Sequence, residues 1–120
     1  MNTKTNTQET SNFRLETTKK VKPIKKGDLL TIQGREWFDR INGNSYHCVY
    51  IFVNGSLVIT VPFNYGYGDS YIQSATEALS EAAYLPNPLS IMADRYCREH
   101  SIHCVCYIQR GCRKNQLAKF

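Results

Sequence analysis

Six residues near the C-terminal end carry thiol or imidazole groups: Cys97, His100, His103, Cys104, Cys106 and Cys112. Thiolate sulfur and imidazole nitrogen are ligands that zinc takes, and a structural zinc site needs four of them converging on a tetrahedron. Cys97 and His100, three residues apart, share a face if their segment is helical, and His103 follows closely. On a strand, Cys104 and Cys106 point to one side and His103 to the other, so only part of the set can converge. No CxxC knuckle is present. The first expectation is therefore no metal and no cofactor, with a small structural zinc site at Cys97, His100, His103 and Cys106 as an alternative.

Nucleophilic catalysis by a cysteine needs a histidine within hydrogen-bond reach. Cys48 with His47, and Cys104 with His103, are sequence neighbours, and neighbours on a strand face opposite ways. Neither pair can touch, so no catalytic residue is assigned and the chain is expected not to be an enzyme. The run Tyr65-Gly66-Tyr67-Gly68-Asp69, with Tyr71, offers binding instead. Glycines let a backbone approach a ligand, and tyrosines bring stacking surfaces and hydroxyls. Asp69 at a helix start would compete with an anion, and the alternative reading of the run is a tight turn whose glycines supply positive φ and whose tyrosines lean on the sheet edge. Tyr65, Tyr67, Asp69 and Tyr71 form the candidate partner-binding set, with Asn42 and Asn44 of a nearby hairpin bend, because tyrosine is enriched at interface hot spots. Trp37, Phe38, Tyr46 and His47 could stack on bases as sheet-based RNA binders do, but no Arg or Lys cluster flanks them, and core packing suits Trp37 better.

These residues depend on a sheet. Tyr46 to Phe63 reads as two β-branched and aromatic runs joined by Asn54-Gly55, a strong hairpin signal because a type I′ turn needs positive φ at both central residues. With a two-residue loop, Val53 faces Ser56 and the pairing continues Phe52–Leu57, Ile51–Val58 and Tyr50–Ile59. One face then carries Tyr46, Cys48, Tyr50, Phe52, Leu57, Ile59, Val61 and Phe63, all apolar in character and in need of cover. The other is mixed, with His47, Val49, Ile51, Val58 and Thr60. A preceding run, residues 29–40, meets this hairpin across Asn42-Gly43, with Trp37 opposite Cys48; a four-residue loop is the alternative. Ser70 and Gln73 have capping-box spacing. Ile72, Ala75, Leu79 and Ala82 then give a small-residue helical stripe over 70–85. Asn87-Pro88 signals a second helix start, with Leu89, Met92, Ala93 and Tyr96 on its buried side. Residues 102–108 read as a final strand. The fold class predicted is α+β: a three-stranded antiparallel meander, two helices packed on one sheet face, and a fourth strand, in a single domain over 27–110.

Charge is unevenly placed. Residues 1–26 hold seven Lys or Arg against Glu9 and Glu16, a net of +5, whereas residues 27–120 hold eight of each sign. The basicity belongs to an appendage, which argues against a basic nucleic-acid-binding fold. Residues 1–26 read as a disordered basic tail and 111–120 as a loose basic segment. A nucleic-acid-binding regulator using Lys19, Lys20, Lys22, Lys25, Lys26, Arg110, Arg113 and Lys114 is the alternative function. No secretory h-region and no membrane-crossing run is seen. Five cysteines without an export signal are expected to be reduced thiols in a cytoplasmic setting.

Three pieces together resemble a family of small proteins carried by bacteriophages and other bacterial mobile elements. They are Arg35-Glu36-Trp37-Phe38 with Gly43-Asn44-Ser45-Tyr46-His47, then Tyr65-Gly66-Tyr67-Gly68-Asp69 with Tyr71 and Gln73, then Arg113-Lys114 with Leu117. The resemblance covers roughly residues 35–117 and supplies no activity to carry over. Members often show Ser or Thr at the position of Cys48, so the resemblance implies that this thiol is not essential. It also implies a bacterial host cell and an accessory gene. The expected function is a non-enzymatic binding protein acting on a host protein, in the manner of an anti-defence inhibitor, with oligomeric state undetermined.

Overall fold

The structure, a computed structural model, describes residues 12–119. Its elements in order are β1 (Arg14–Leu15), β2 (Leu29–Asp39), β3 (Asn44–Val53), β4 (Ser56–Tyr65), α1 (Ser70–Glu81), α2 (Ala93–Glu99), β5 (His103–Gln109) and a 3₁₀ turn (Lys114–Gln116). The strands form one sheet in the order β1-β4-β3-β2-β5. The meander β2-β3-β4 is antiparallel, as expected. The four-strand layout is not: a fifth strand comes from the presumed tail, and β5 lies parallel to β2, making the sheet mixed.

Asn54 and Gly55 hold φ of 50° and 85°, so the β3–β4 turn forms with Val53 opposite Ser56 and Phe52 opposite Leu57. The expected register then fails. Ile51 pairs with Ile59, not Val58, and a second irregularity falls between His47 and Val49. Each bulge inserts an unpaired residue and bends the strand. Proline cannot donate to a ladder and is found in strands at such places; Pro62 lies at the second bulge. The carbonyl of the first bulge residue, Val58, accepts the Glu16 N–H at 2.8 Å. The shift carries Ile59 and Val61 to the face of Val49 and Ile51, and all four are buried.

The helices cover that face, which is the one expected to be mixed. Ala75, Ala78 and Leu79 of α1 meet Leu30, Ile32, Val49, Ile51, Ile59 and Val61 in the main core. Small helix residues let the backbone approach the branched strand residues closely, large against small. Gly34 in β2 makes room for the Tyr71 ring: a Cβ there would lie 2.8 Å from Tyr71 Cδ2. The expected capping box is absent, since Asp69 is the N-cap without a side-chain bond and Gln73 reaches Glu77 at 3.4 Å. The second helix begins at Ala93 rather than after Asn87-Pro88, because the Thr76 hydroxyl oxygen accepts the Ala93 N–H at 2.9 Å and fixes the start there.

The aromatic face is covered by the C-terminal segment, which is not loose. The Cys112 N–H donates to Glu36 O at 3.0 Å and the Phe63 N–H to Ala118 O at 2.8 Å, so residues 112–118 strap the sheet from β2 to β4. Cys112 and Leu117 are buried there with Cys48, against Trp37, Tyr46, Tyr50 and Phe63. The tail expected at 1–26 also shortens. Ile24 is buried, Phe13 and Val21 pack on the core, and β1 pairs with Ile59 and Thr60. Its first eleven residues lie outside the described ones.

Candidate functional site

The far end of β2, the start of β3 and the end of β4 meet at one edge of the molecule. Trp37 pairs with Tyr46 and Tyr46 with Tyr65 across the three strands. Same-face residues on neighbouring strands are close enough for ring contact. Tyr46 stacks on Trp37 at 5.5 Å between ring centroids and meets Phe63 at 5.3 Å and Tyr65 at 5.8 Å edge-on. The row runs from the strapped interior, where the Lys114 ammonium lies 5.5 Å from the Trp37 ring centre, out to solvent.

The β2–β3 bend has four loop residues, Arg40 to Gly43, with Asp39 opposite Asn44. The expected two-residue loop is thus corrected to the four-residue alternative, and Trp37 faces Tyr46 rather than Cys48. Asp39 organises the bend: its carboxylate accepts the N–H groups of Ile41 and Asn42 at 3.0 and 3.3 Å and the Asn42 side-chain amide at 2.8 Å. Those bonds, the Asn42 amide first, hold the Asp39 carboxyl below its ordinary pKa. With the polar groups of the bend engaged internally, Ile41 stands 93% exposed at its tip, beside Phe38 at 53%. A groove of about 520 Å³ runs between this bend and the strap, lined by Trp37, Phe38, Ile41, Arg113 and Lys114.

The glycine-aromatic loop sits at the same edge, tied down by the Gly66 N–H donating to Ser45 O at 2.9 Å. His47 is its anchor. The Gly66 carbonyl can only accept, so Nδ1 of His47 carries the proton of that 3.1 Å bond, and Nε2 accepts the Ser74 hydroxyl at 2.8 Å. Burial lowers the imidazole pKa, against smaller opposing effects of the Gly66 carbonyl and Glu36. The ring is therefore a neutral structural strut between loop, strand and α1. Gly66, at φ 144°, has no room for a side chain: a Cβ would lie 2.8 Å from Ser70 Cβ. This backbone projects Tyr65 and Tyr67 outward, 67% and 72% exposed.

The candidate partner-binding residues separate accordingly. Tyr65, Tyr67, Asp69 and Asn42 are exposed and Asn44 is half-buried at this edge. Tyr71 is not part of it. One residue into α1 its side chain turns beneath the helix onto Gly34, 5% exposed, and burial raises its phenol pKa to about 12. Ile41 was missed as a site residue and Phe38 was weighed only for base stacking; an isoleucine inside a polar turn was the available signal. His47 was placed on the mixed face, and that is the face α1 covers.

The basic residues are not gathered. Lys25 and Lys26 precede β2 and Arg110, Arg113 and Lys114 follow the parallel strand's far end. Eleven residues of β2 separate the groups by roughly 35 Å at strand rise. Lys19, Lys20 and Lys22 lie on the stretch between β1 and β2. Arg110 approaches Glu36 at 3.6 Å.

The zinc alternative set is dispersed. Cys97 is buried, His100 is stacked on Tyr96 at 4.0 Å in solvent, and His103 is exposed on the opposite side of β5 from Cys106. Among the described residues no group of three or more His, Cys, Asp or Glu side chains could hold a metal ion. The thiols of Cys104 and Cys106 do meet, at 3.7 Å. A Cys106 hydrogen bond lowers the Cys104 pKa, but the bond with Cys97 and burial outweigh it and push Cys104 up to about 12. Cys48 is likewise pushed up by burial, which suits packing and not nucleophilic chemistry.

No family model, no curated protein and no solved structure matches this chain. The fold itself is α+β, and no helix among the described residues is long and apolar enough to cross a membrane.

Proposed function

We propose that this chain is a non-enzymatic binding protein whose partner is another protein, held at the hairpin-loop edge. The observation that carries this is the exposure of four large side chains, Phe38, Ile41, Tyr65 and Tyr67, at one end of the sheet. Single exposed apolar residues are ordinary, but several together at one edge mark contact surfaces. Aromatic anchors on a rigid support also lose little entropy on binding. Here the support is rigid: the Asp39 turn and the His47–Gly66 bond fix both segments from behind.

The resemblance to proteins of phages and mobile elements gives this surface a biological setting. The partner proposed is a host protein, and inhibition of a host defence machine is the role that fits a small accessory protein. The test is affinity capture from host cells with full-length chain and with Tyr65→Ala/Tyr67→Ala and Phe38→Ala/Ile41→Ser variants. One defined protein, retained by the parent and lost from both folded variants, supports the proposal. Capture of nucleic acid alone, weakening steeply with salt, would favour the regulator that uses the basic ends.

A further inference from the structure

The two edges of the sheet are treated differently. At one edge β1 is only two residues long and carries the Arg14–Glu16 ion pair, 3.0 Å apart. Shortness and charge are the usual means of stopping an edge from pairing with another chain. At the other edge β5 runs seven residues, His103-Cys-Val-Cys-Tyr-Ile-Gln109, with no Lys, Arg, Asp, Glu, Pro or bulge. Among the described residues no further strand lies beyond it.

The backbone of β5 points its free groups outward in a fixed pattern. The His103 N–H donates to Asp28 O at 3.0 Å, which sets the phase of the parallel ladder with β2. Alternation along a strand then turns the N–H and C=O of His103, Val105, Tyr107 and Gln109 toward β2, and those of Cys104, Cys106 and Ile108 toward the open edge. The side chains are self-complementary about Cys106. In an antiparallel pair centred there, Val105 meets Tyr107 of the second copy, Cys104 meets Ile108, and His103 meets Gln109. Val105 and Tyr107 are 41% and 47% exposed in the single chain, and a β-branched residue opposite an aromatic is a favourable cross-strand pair.

We propose that β5 is the docking strand for a second copy of this chain, pairing antiparallel with its counterpart about a two-fold axis at Cys106 to form one continuous sheet. Every outward backbone group of Cys104, Cys106 and Ile108 then finds its partner in the same residues of the other copy, as an isologous contact requires. No foreign strand is needed to satisfy the edge, and β5 itself carries no Lys, Arg, Asp or Glu to oppose a second copy.

The test is sedimentation equilibrium of the full chain from micromolar to millimolar concentration, with hydrogen exchange at both ends of the range. The mass should rise from 13.8 kDa toward twice that value. Amides of Cys104, Cys106 and Ile108 should gain protection as it does, while those of Val105 and Tyr107 stay protected throughout. Val105→Lys/Tyr107→Lys places like charges opposite each other across the axis and should weaken association roughly tenfold or more. A monomer at all concentrations overturns the proposal, as does a dimer unaffected by the folded double variant. If that variant fails to fold, exchange on the parent decides: a dimer that leaves the Cys104, Cys106 and Ile108 amides unprotected also overturns it.

Discussion

Gly34 and Tyr71 should behave as one unit in stability, and the geometry gives the size of the effect. A Cβ on Gly34 would lie 2.8 and 2.9 Å from two ring carbons of Tyr71 and 3.2 Å from Ile108 Cγ1. Gly34 has no positive φ, so alanine fits the backbone and the whole cost is steric. Overpacking of this kind costs ~1–3 kcal/mol. Tyr71→Ala alone empties a buried aromatic site and should cost ~3–5 kcal/mol. In that background the clash with the ring is gone, only the tip of the Ile108 side chain has to give by a few tenths of an ångström, and Gly34→Ala should become neutral or stabilise by up to ~1 kcal/mol, since glycine is the worse strand residue. The interaction energy in a double-mutant cycle is then ~1–4 kcal/mol, above the ~0.5 kcal/mol seen for independent sites. Urea denaturation of the four proteins, with m-values checked for constancy, measures it. Additive costs would refute the packing of Tyr71 on Gly34, and with it the removal of Tyr71 from the binding surface.

Two further outcomes follow from the strut and the strap. The folded-state pKa of His47 lies below its ordinary 6.5 through burial. As pH falls below that value the unfolded chain takes up a proton that the native ring refuses, so stability drops, by at most ~1.4 kcal/mol per pH unit, until the folded pKa is passed. A His47→Gln variant should lack this component, and equal pH slopes for the two proteins would contradict the neutral strut. Leu117→Ala should cost ~2–4 kcal/mol and speed alkylation of Cys48, whose 0% exposure depends on the strap. A variant with unchanged Cys48 reactivity would show that the thiol is shielded by the sheet alone.

Local chemistry made some of this fold legible in the sequence. Asn54-Gly55 fixed the β3–β4 turn, and the spacing of Ala75, Leu79 and their neighbours gave the buried face of α1. The β4 register was not legible, because Leu57-Val58-Ile59-Thr60-Val61 is apolar at almost every position and its period of two cannot say which residues face inward. Only Pro62 hinted at a bulge. Phe13, Val21 and Ile24 are sparse among polar residues, and the partners of their segment, β4 for β1 and the Tyr84 carbonyl for the Ile24 N–H, lie more than forty residues away, which no local pattern encodes. Cys112 and Leu117 were likewise hidden among basic residues. At the candidate site, the exposure of Tyr65 and Tyr67 was readable from a glycine-rich loop. The burial of Tyr71 depended on where the helix began relative to Gly34, and the neighbouring Phe38 and Ile41 depended on a four-residue bend.

The central claim is that the hairpin-loop edge binds a protein partner. The most direct measurement is quantitative capture from host cells by the parent chain beside two folded variants, Tyr65→Ala/Tyr67→Ala at the edge and Tyr107→Ala away from it. A hot-spot truncation costs ~2 kcal/mol or more of binding, about thirtyfold. The account predicts one near-stoichiometric protein, depleted at least that far by the edge variant and retained by Tyr107→Ala, with melting temperatures unchanged for both. Equal recovery by all three, or nucleic acid as the only specific cargo, would contradict it.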